Sequence, residues 1–329
     1  MKTKQRILTG DRPTSRLHIG HYVGSLESRV RLQHHYDSFI MIADVQALTT
    51  HFEHPENLAK NVSDIAIDYL SVGIDPEIAT VFIQSMVPQL AELTVFYSML
   101  ITVNVLRHNP TIKTEASQYG YKDLSYGFLG YPVSQAADIT FCKANLVPVG
   151  EDQLPLIEVT RKIVRRFNSL YRPVLIEPEG LTGSCPRLVG IDGRAKMSKS
   201  LNNAIFLSET ADGVLAKLKA AVTDPGRIRL QDRGNPEICT VYQYYQAFDN
   251  AESGNVANMC KNAIIGCTSC KSNLGKKLNE LLAPMREKRQ HLEKNPAYIR
   301  EILHAGSSKA AKVAANTLQE VKEAMRINY

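Results

Sequence analysis

Apolar residues along this chain follow two different spacings, and the change from one to the other comes just past the middle. In the first half, short apolar runs rich in β-branched and aromatic residues alternate with stretches of helical periodicity. Ile7-Leu8-Thr9, Phe39-Ile40-Met41-Ile42 and Ala79-Thr80-Val81-Phe82-Ile83 predict buried strands, and Val174-Leu175-Ile176 predicts a later strand of the same sheet. Residues 57–73 and 88–106 carry apolar positions three and four apart, which predicts amphipathic helices. Strands alternating with helices imply a mostly parallel, doubly wound α/β sheet.

After residue 200 strand-like runs become scarce, and helical patterns dominate from residue 210 onward. Pro225, Gly226, Gly234 and Pro236 punctuate the start of this region. The expected organisation is an α/β domain over 1–200 with an inserted helical segment, then a helical domain over 201–295. Helices over 296–329 follow, the last of them at 310–326, packing back on the first domain. Internal repeats and low-complexity segments are absent.

Composition narrows the function classes little. Hydrophobic residues make up 44% of the 329 positions and charged residues 22%, the balance of an ordinary globular protein. No apolar run is long enough to span a bilayer, and the N-terminal residues lead straight into a strand, so a cytoplasmic protein is expected. The net charge of +6 gains meaning only beside a phosphate chemistry.

That chemistry is written in two places. Gly10-Asp11-Arg12-Pro13-Thr14-Ser15-Arg16-Leu17-His18-Ile19-Gly20-His21 follows the first strand. A turn feeding a helix there offers free backbone N–H groups and the positive end of the helix dipole to a polyphosphate. His18 and His21, three apart, share one face, and Gly20 lets a nucleotide approach the backbone. Mid-chain, Gly193-Arg194-Ala195-Lys196-Met197-Ser198-Lys199-Ser200 is dense in flexible cations and hydroxyls. Lys196 and Lys199 can close over phosphates as charge develops, with a hydrogen bond from Ser198. Alone, either stretch also reads as an ordinary surface helix or basic loop.

In this order, the two motifs resemble those of class I aminoacyl-tRNA synthetases. The resemblance implies a Rossmann-like catalytic domain on which ATP, accompanied by Mg²⁺, lies across the crest of the sheet. The amino-acid carboxylate would then stand in line with the α-phosphorus, with no enzyme nucleophile required. Between the motifs, Tyr131-Pro132-Val133-Ser134-Gln135-Ala136-Ala137-Asp138 and Val147-Pro148-Val149-Gly150-Glu151-Asp152-Gln153 look like the tryptophanyl-tRNA synthetase subgroup, over nearly the whole chain. The resemblance implies that Asp138 accepts the indole N–H, that Tyr131 and Gln153 hold the α-ammonium, and that Gln135 and Gln46 complete the tryptophan pocket. It places Arg12, Pro13, Thr14, Gly20, His21, Gly150, Glu151, Asp152, Leu188, Lys196, Met197, Ser198, Lys199 and Ser200 around ATP, with His18, His21, Lys196, Ser198 and Lys199 catalytic.

Indole is a flat group with one donor, so its pocket needs an apolar slot ending in a buried acceptor, and Ala136 and Ala137 leave room for two fused rings. Gln46 departs from the family pattern, which often has His there. A tyrosyl-tRNA synthetase is the nearest rival, a non-catalytic RNA-binding paralogue the alternative from another class, and a related ATP-dependent ligase acting on a small acid a third. Lys113 is a further candidate phosphate ligand.

Four of the six cysteines, Cys239, Cys260, Cys267 and Cys270, fall within 32 residues. Four thiolates can enclose tetrahedral Zn²⁺ or a [4Fe–4S] cluster, and buried free thiols are the other reading. A subset of tryptophanyl-tRNA synthetases carries a closely similar pattern around [4Fe–4S], so the resemblance implies iron–sulfur. Cys142 and Cys185 read as ordinary thiols. The resemblance further implies tRNA(Trp) as partner and a homodimer, and the basic region over 271–312 suits an RNA backbone. The chain itself contains no Trp.

Overall fold

The structure, a computed structural model, describes residues 4–182, 188–198 and 201–329. Five parallel strands form its sheet: β1 (Arg6–Asp11), β2 (Asp37–Ile42), β3 (Ala79–Ile83), β4 (Leu146–Val149) and β5 (Glu179–Thr182), in the order β3-β2-β1-β4-β5. The order reverses between β1 and β4, so a crevice opens at the carboxyl ends of those two strands, where such sheets bind ligands.

Helices α1 (Ile19–His21) and α2 (Glu27–Leu32) flank a π-helical turn, Tyr22–Leu26. Then come α3 (Asp44–His51), α4 (Leu58–Val72), α5 (Gln89–Ser98), α6 (Val103–Arg107), α7 (Pro110–Tyr119), α8 (Tyr126–Thr140) and α9 (Leu154–Leu170). The remainder is helical: α10 (Ala211–Ala220), α11 (Thr240–Phe248), α12 (Asn250–Lys261), α13 (Cys267–Glu293) and α14 (Pro296–Ala324). No described helix is long and apolar enough to cross a membrane.

Alternation along β2 divides the interior in two. Phe39 and Met41 face a core shared with α5, α8 and α9, where Phe39, Phe82 and Phe141 meet edge to face at 5.5–6.5 Å. Ile40 and Ile42 face a second core that runs through Ile65 and Tyr69 of α4 into Leu274, Leu278 and Leu282 of α13. Helix α14 returns to lie along β3 and α5. At Gly306 the helix approaches so closely that a Cβ would stand 1.8 Å from the Val81 carbonyl oxygen. Ser307 completes the fit by accepting the Ile83 amide at 3.1 Å, a donor on the edge strand.

Several expectations change. Residues 88–106 form two helices, because Thr102 turns extended and caps α6 by accepting the Val105 amide at 3.4 Å. Val174 and Leu175 are buried but not a strand. Asn168 Oδ1 accepts both their amides at 3.1 Å and its Nδ2 donates to the Leu175 carbonyl, so a side chain replaces the neighbouring strand. The true fifth strand lies at Glu179–Thr182, and β4, with Pro148 inside it, joins the sheet unforeseen. The last helix starts at Pro296 and not at residue 310, since Asn295 caps it by accepting the Tyr298 amide at 3.3 Å.

Candidate active site

The turn after β1 carries His18 and His21 over the carboxyl edge of the sheet, their ring centroids 3.8 Å apart. The His18 amide donates to His21 Nδ1 at 3.2 Å, which fixes the second ring against the start of α1. Gly20 keeps this packing tight: a Cβ there would lie 3.0 Å from the His18 ring, which would have to give way, and 3.5 Å from Met197 Sδ. Beneath the turn, Asp11 is gripped by Arg29 Nη1 at 2.5 Å and the Tyr69 hydroxyl at 2.7 Å. Burial works against its charge, but the Arg29 guanidinium and the hydrogen bonds from Arg29 and Tyr69 hold the carboxyl at about 2.

Both imidazoles are neutral at pH 7. Burial first, then the repulsion that a protonated His21 and Lys196 would exert on a second cation, brings His18 down to about 3. Burial also lowers His21 to about 4, Asp11 opposing and Lys196 and Arg29 reinforcing. Lys196 therefore stands close to both rings, and the two motifs meet in space. They are stitched together behind the site, where Ile19 donates to the Ile205 carbonyl at 2.9 Å and Leu207 to that of Leu17 at 3.0 Å.

Asn203, which the sequence did not single out, shapes the second loop. Its Oδ1 accepts the Ser198 amide at 2.7 Å, and its Nδ2 donates to the Lys196 carbonyl and to Asp192, both at 3.2 Å. Met197 and Leu188 turn their side chains into the second core, so either could meet a nucleotide only through its backbone. Lys199 and Ser200, both expected at ATP, lie outside the described residues, as does Cys185. Pro13 is buried, Arg12 is half-buried and paired with Glu115 at 3.3 Å, and Thr14 and Lys113 are exposed.

Across the crevice, Gly150-Glu151-Asp152 follows β4, and Gln153 Nε2 donates to Asp152 Oδ2 at 3.1 Å. Tyr131, Gln135 and Asp138 are spaced four and three apart on α8 and so share one helical face. Asp138 is 0% exposed, and both its oxygens receive Gln84 Nε2 at 2.9 Å. Burial pushes its carboxyl up to about 7, against hydrogen bonds from Gln84 and Gln46. Gln46 donates from its backbone to Gln84 Oε1 at 3.0 Å and from its side chain to the Tyr131 carbonyl at 3.3 Å. Gln84 is thus a pocket residue that the sequence did not reveal; its place directly after β3 was the available signal. Buried His18 reaches the Met197 backbone, and the Tyr131 hydroxyl lies beside Glu115, which together with burial pushes its pKa up.

The four clustered cysteines are all described and half-buried. Burial first, then the charges of Cys239, Cys260 and Cys267, pushes the Cys270 thiol up to about 12, so the four thiols lie within electrostatic reach of one another. Arg227 Nη1 donates to Cys260 Sγ at 3.5 Å. The donor set suits a soft metal or cluster, but the arrangement is not a coordination sphere. Among the described residues no three His, Cys, Asp or Glu side chains are placed to share a metal ion. Cys142 is a fully buried core thiol.

Comparison with known proteins identifies the family. A family model described as tRNA synthetases class I (W and Y) matches residues 1–283. The chain is 48% identical to a tryptophan–tRNA ligase of Lactococcus lactis and 47% identical to one of Streptococcus agalactiae serotype V, each over 99% of both chains. The crystal structure of Campylobacter jejuni tryptophanyl-tRNA synthetase complexed with ADP and tryptophan superposes with a TM-score of 0.86 at 30% identity, covering 98% of this chain and 100% of that one. The chain belongs to the class I tRNA synthetases, in the family of the tryptophan and tyrosine enzymes.

Proposed function

We propose that this chain is a tryptophan–tRNA ligase, activating L-tryptophan with ATP to tryptophanyl-adenylate and pyrophosphate, then passing the tryptophanyl group to a hydroxyl of tRNA(Trp) as AMP leaves. The full-length likeness to tryptophan–tRNA ligases carries the reading and favours it over the tyrosine enzyme. Pyrophosphate exchange into ATP tests it. Tryptophan should stimulate exchange and tyrosine hardly at all. Stimulation by tyrosine would overturn the substrate, and no stimulation by any amino acid would favour a non-catalytic paralogue.

In this reading the tryptophan carboxylate attacks the α-phosphorus, a C–O–P linkage forms, and pyrophosphate leaves with the Mg²⁺ that accompanied ATP. Neutral His18 and His21 serve as hydrogen-bond donors to phosphate and not as charges, while Lys196, Lys199 and Ser198 meet the charge developing on the leaving group. Arg12, Pro13, Thr14, Gly20, Gly150, Glu151, Asp152 and the backbone at Leu188, Met197 and Ser200 surround the nucleotide. Asp138 accepts the indole N–H, and Tyr131, Gln135, Gln153 and Gln46 shape the rest of the pocket. The meeting of His18, His21 and Lys196, and the burial of Asp138 beside Gln84, support these roles.

The division at 1–200, 201–295 and 296–329 belongs to the same proposal, supported by confinement of all five strands to the first part. So does a [4Fe–4S] cluster on Cys239, Cys260, Cys267 and Cys270, with Zn²⁺ as the alternative; the nearness of the other three cysteines to Cys270 supports it. Bound there, either group would cross-link the helices that face tRNA. A homodimer through the catalytic half is supported by exposed Val95 on α5, Met99 just past its end, Val103 on α6 and Tyr126 on α8, with α5 and α6 both packed on α8. The cytoplasm, where translation consumes charged tRNA, is the proposed location.

A further inference from the structure

Behind the His18 turn lies a buried ion-pair cluster that none of the chemistry above uses. Arg289, on α13, is 4% exposed and reaches two carboxylates of α4: Asp64 through Nη2 at 2.8 Å, and Asp68 through Nη1. Its Nε meets Glu293 one turn along its own helix at 2.8 Å, so all three guanidinium nitrogens are engaged. Asp68, 1% exposed, turns its other oxygen to the Leu17 amide at 2.8 Å. Asp64 meets Arg16 at 3.3 Å. The two residues immediately before His18 are thus tied, through one pair of carboxylates, to a guanidinium on the C-terminal helices. Arg16 and Arg289 are the charged groups that face this pair of acids, and burial pushes the Asp68 carboxyl up to about 6.

A buried ion pair is a poor device for stability, since apolar residues of the same size often serve better. It does fix geometry. Arg presents a rigid planar fork, and a carboxylate held on both oxygens cannot rotate. Without Asp68 the buried Leu17 amide would be left unpaired, and on this side the turn would keep only its backbone bonds to Ile205 and Leu207.

We propose that Arg289 is a positioning residue for adenylate formation: through Asp68 and Asp64 it sets the Arg16–Leu17 backbone and hence the place of His18 beside ATP. This rests on the reading of the His18 turn as the ATP-holding element. It makes α13, whose first turn carries Cys267 and Cys270 and whose interior holds Pro284, a connection between the cysteine region and the ATP side of the active site.

The test uses the full-length enzyme and a ratio that general weakening would not move. Because the chain contains no Trp, binding of tryptophan is read directly from the ligand's own fluorescence. Arg289→Met, assayed well below its melting temperature, should raise KM for ATP and lower kcat of pyrophosphate exchange, together by about tenfold or more. Tryptophan affinity should stay within about twofold of the parent enzyme. Arg289→Lys keeps the charge without the fork and should show the same split more weakly, which keeps the proposal testable if the Met variant does not fold. Unchanged ATP kinetics in a folded variant would overturn the proposal, and so would equal losses for ATP and tryptophan. His18→Asn is assayed in parallel. If that variant left adenylate formation untouched, the ATP reading of the turn itself would fail; if it slowed the reaction while Arg289→Met did not, only the role of Arg289 would fall.

Discussion

The Gln84 side-chain amide donates to both carboxylate oxygens of Asp138 at 2.9 Å, while its own carbonyl accepts the Gln46 amide. A fully buried carboxyl is thereby held partly ionised near neutral pH, at about 7, where its ordinary value is 3.8.

A pH dependence of tryptophan recognition follows. Below about pH 7 a proton occupies Asp138 and the indole N–H loses a charged acceptor, so KM for tryptophan should rise as pH falls through this range. Asp138→Asn should flatten the profile and weaken rejection of phenylalanine. Gln84→Leu removes a hydrogen bond that favours the ionised form, so the midpoint should move upward. A midpoint unmoved in Gln84→Leu would contradict this role. The sign for stability is the reverse of the sign for binding. A carboxyl whose folded pKa is raised takes up its proton first in the folded state, so the cost of burying Asp138 is relieved as pH falls from 7 toward 3.8.

The two histidines behave otherwise. Held down to about 3 and 4, His18 and His21 stay neutral throughout the working range. His18→Asn or His21→Asn should slow adenylate formation by about 10²-fold in single-turnover assays, with tryptophan affinity little changed. A rate step near pH 6.5 that disappears in His21→Asn would show that the imidazole acts as a cation after all.

Gly306 gives a prediction about stability alone. In Gly306→Ala the new methyl group meets the backbone of β3, so helix or strand must shift, at a cost of about 1–3 kcal/mol. Thermal melting should show the loss. Active-site kinetics at low temperature should stay close to the parent, and a melting temperature equal to the parent's would mean that α14 does not pack this tightly.

Metal analysis decides the cysteine region. Protein purified without air should show broad visible absorbance that bleaches with dithionite, and Cys270→Ser should lose it. A colourless protein with one zinc per chain would overturn the cluster in favour of the alternative.

The three strands β1, β2 and β3 were legible because each is a compact apolar run, buried along most of its length, and the motif turns because their chemistry is concentrated in consecutive residues. What escaped depends on distant partners. Val174 and Leu175 have the composition of a strand, but Asn168 takes their hydrogen bonds. Gln84, Asn203 and Arg289 are single polar residues whose importance comes from what stands opposite them, and no local spacing marks that. The cysteines were the reverse case: their pattern was plain in sequence, while the structure gathers the thiols without closing them into a ligand set.

The clasp of Gly306 and Ser307 on β3 bears on the order in which the protein is made. A ribosome releases β3 more than two hundred residues before the helix that covers it. Until α14 emerges, the nascent edge strand carries an Ile83 amide without its partner and a bare apolar flank. The strand is then open to pairing with any extended segment nearby. Chains stalled or cut before residue 296 would consequently be sticky intermediates and not smaller enzymes, and the final helix is the seal that ends this exposure.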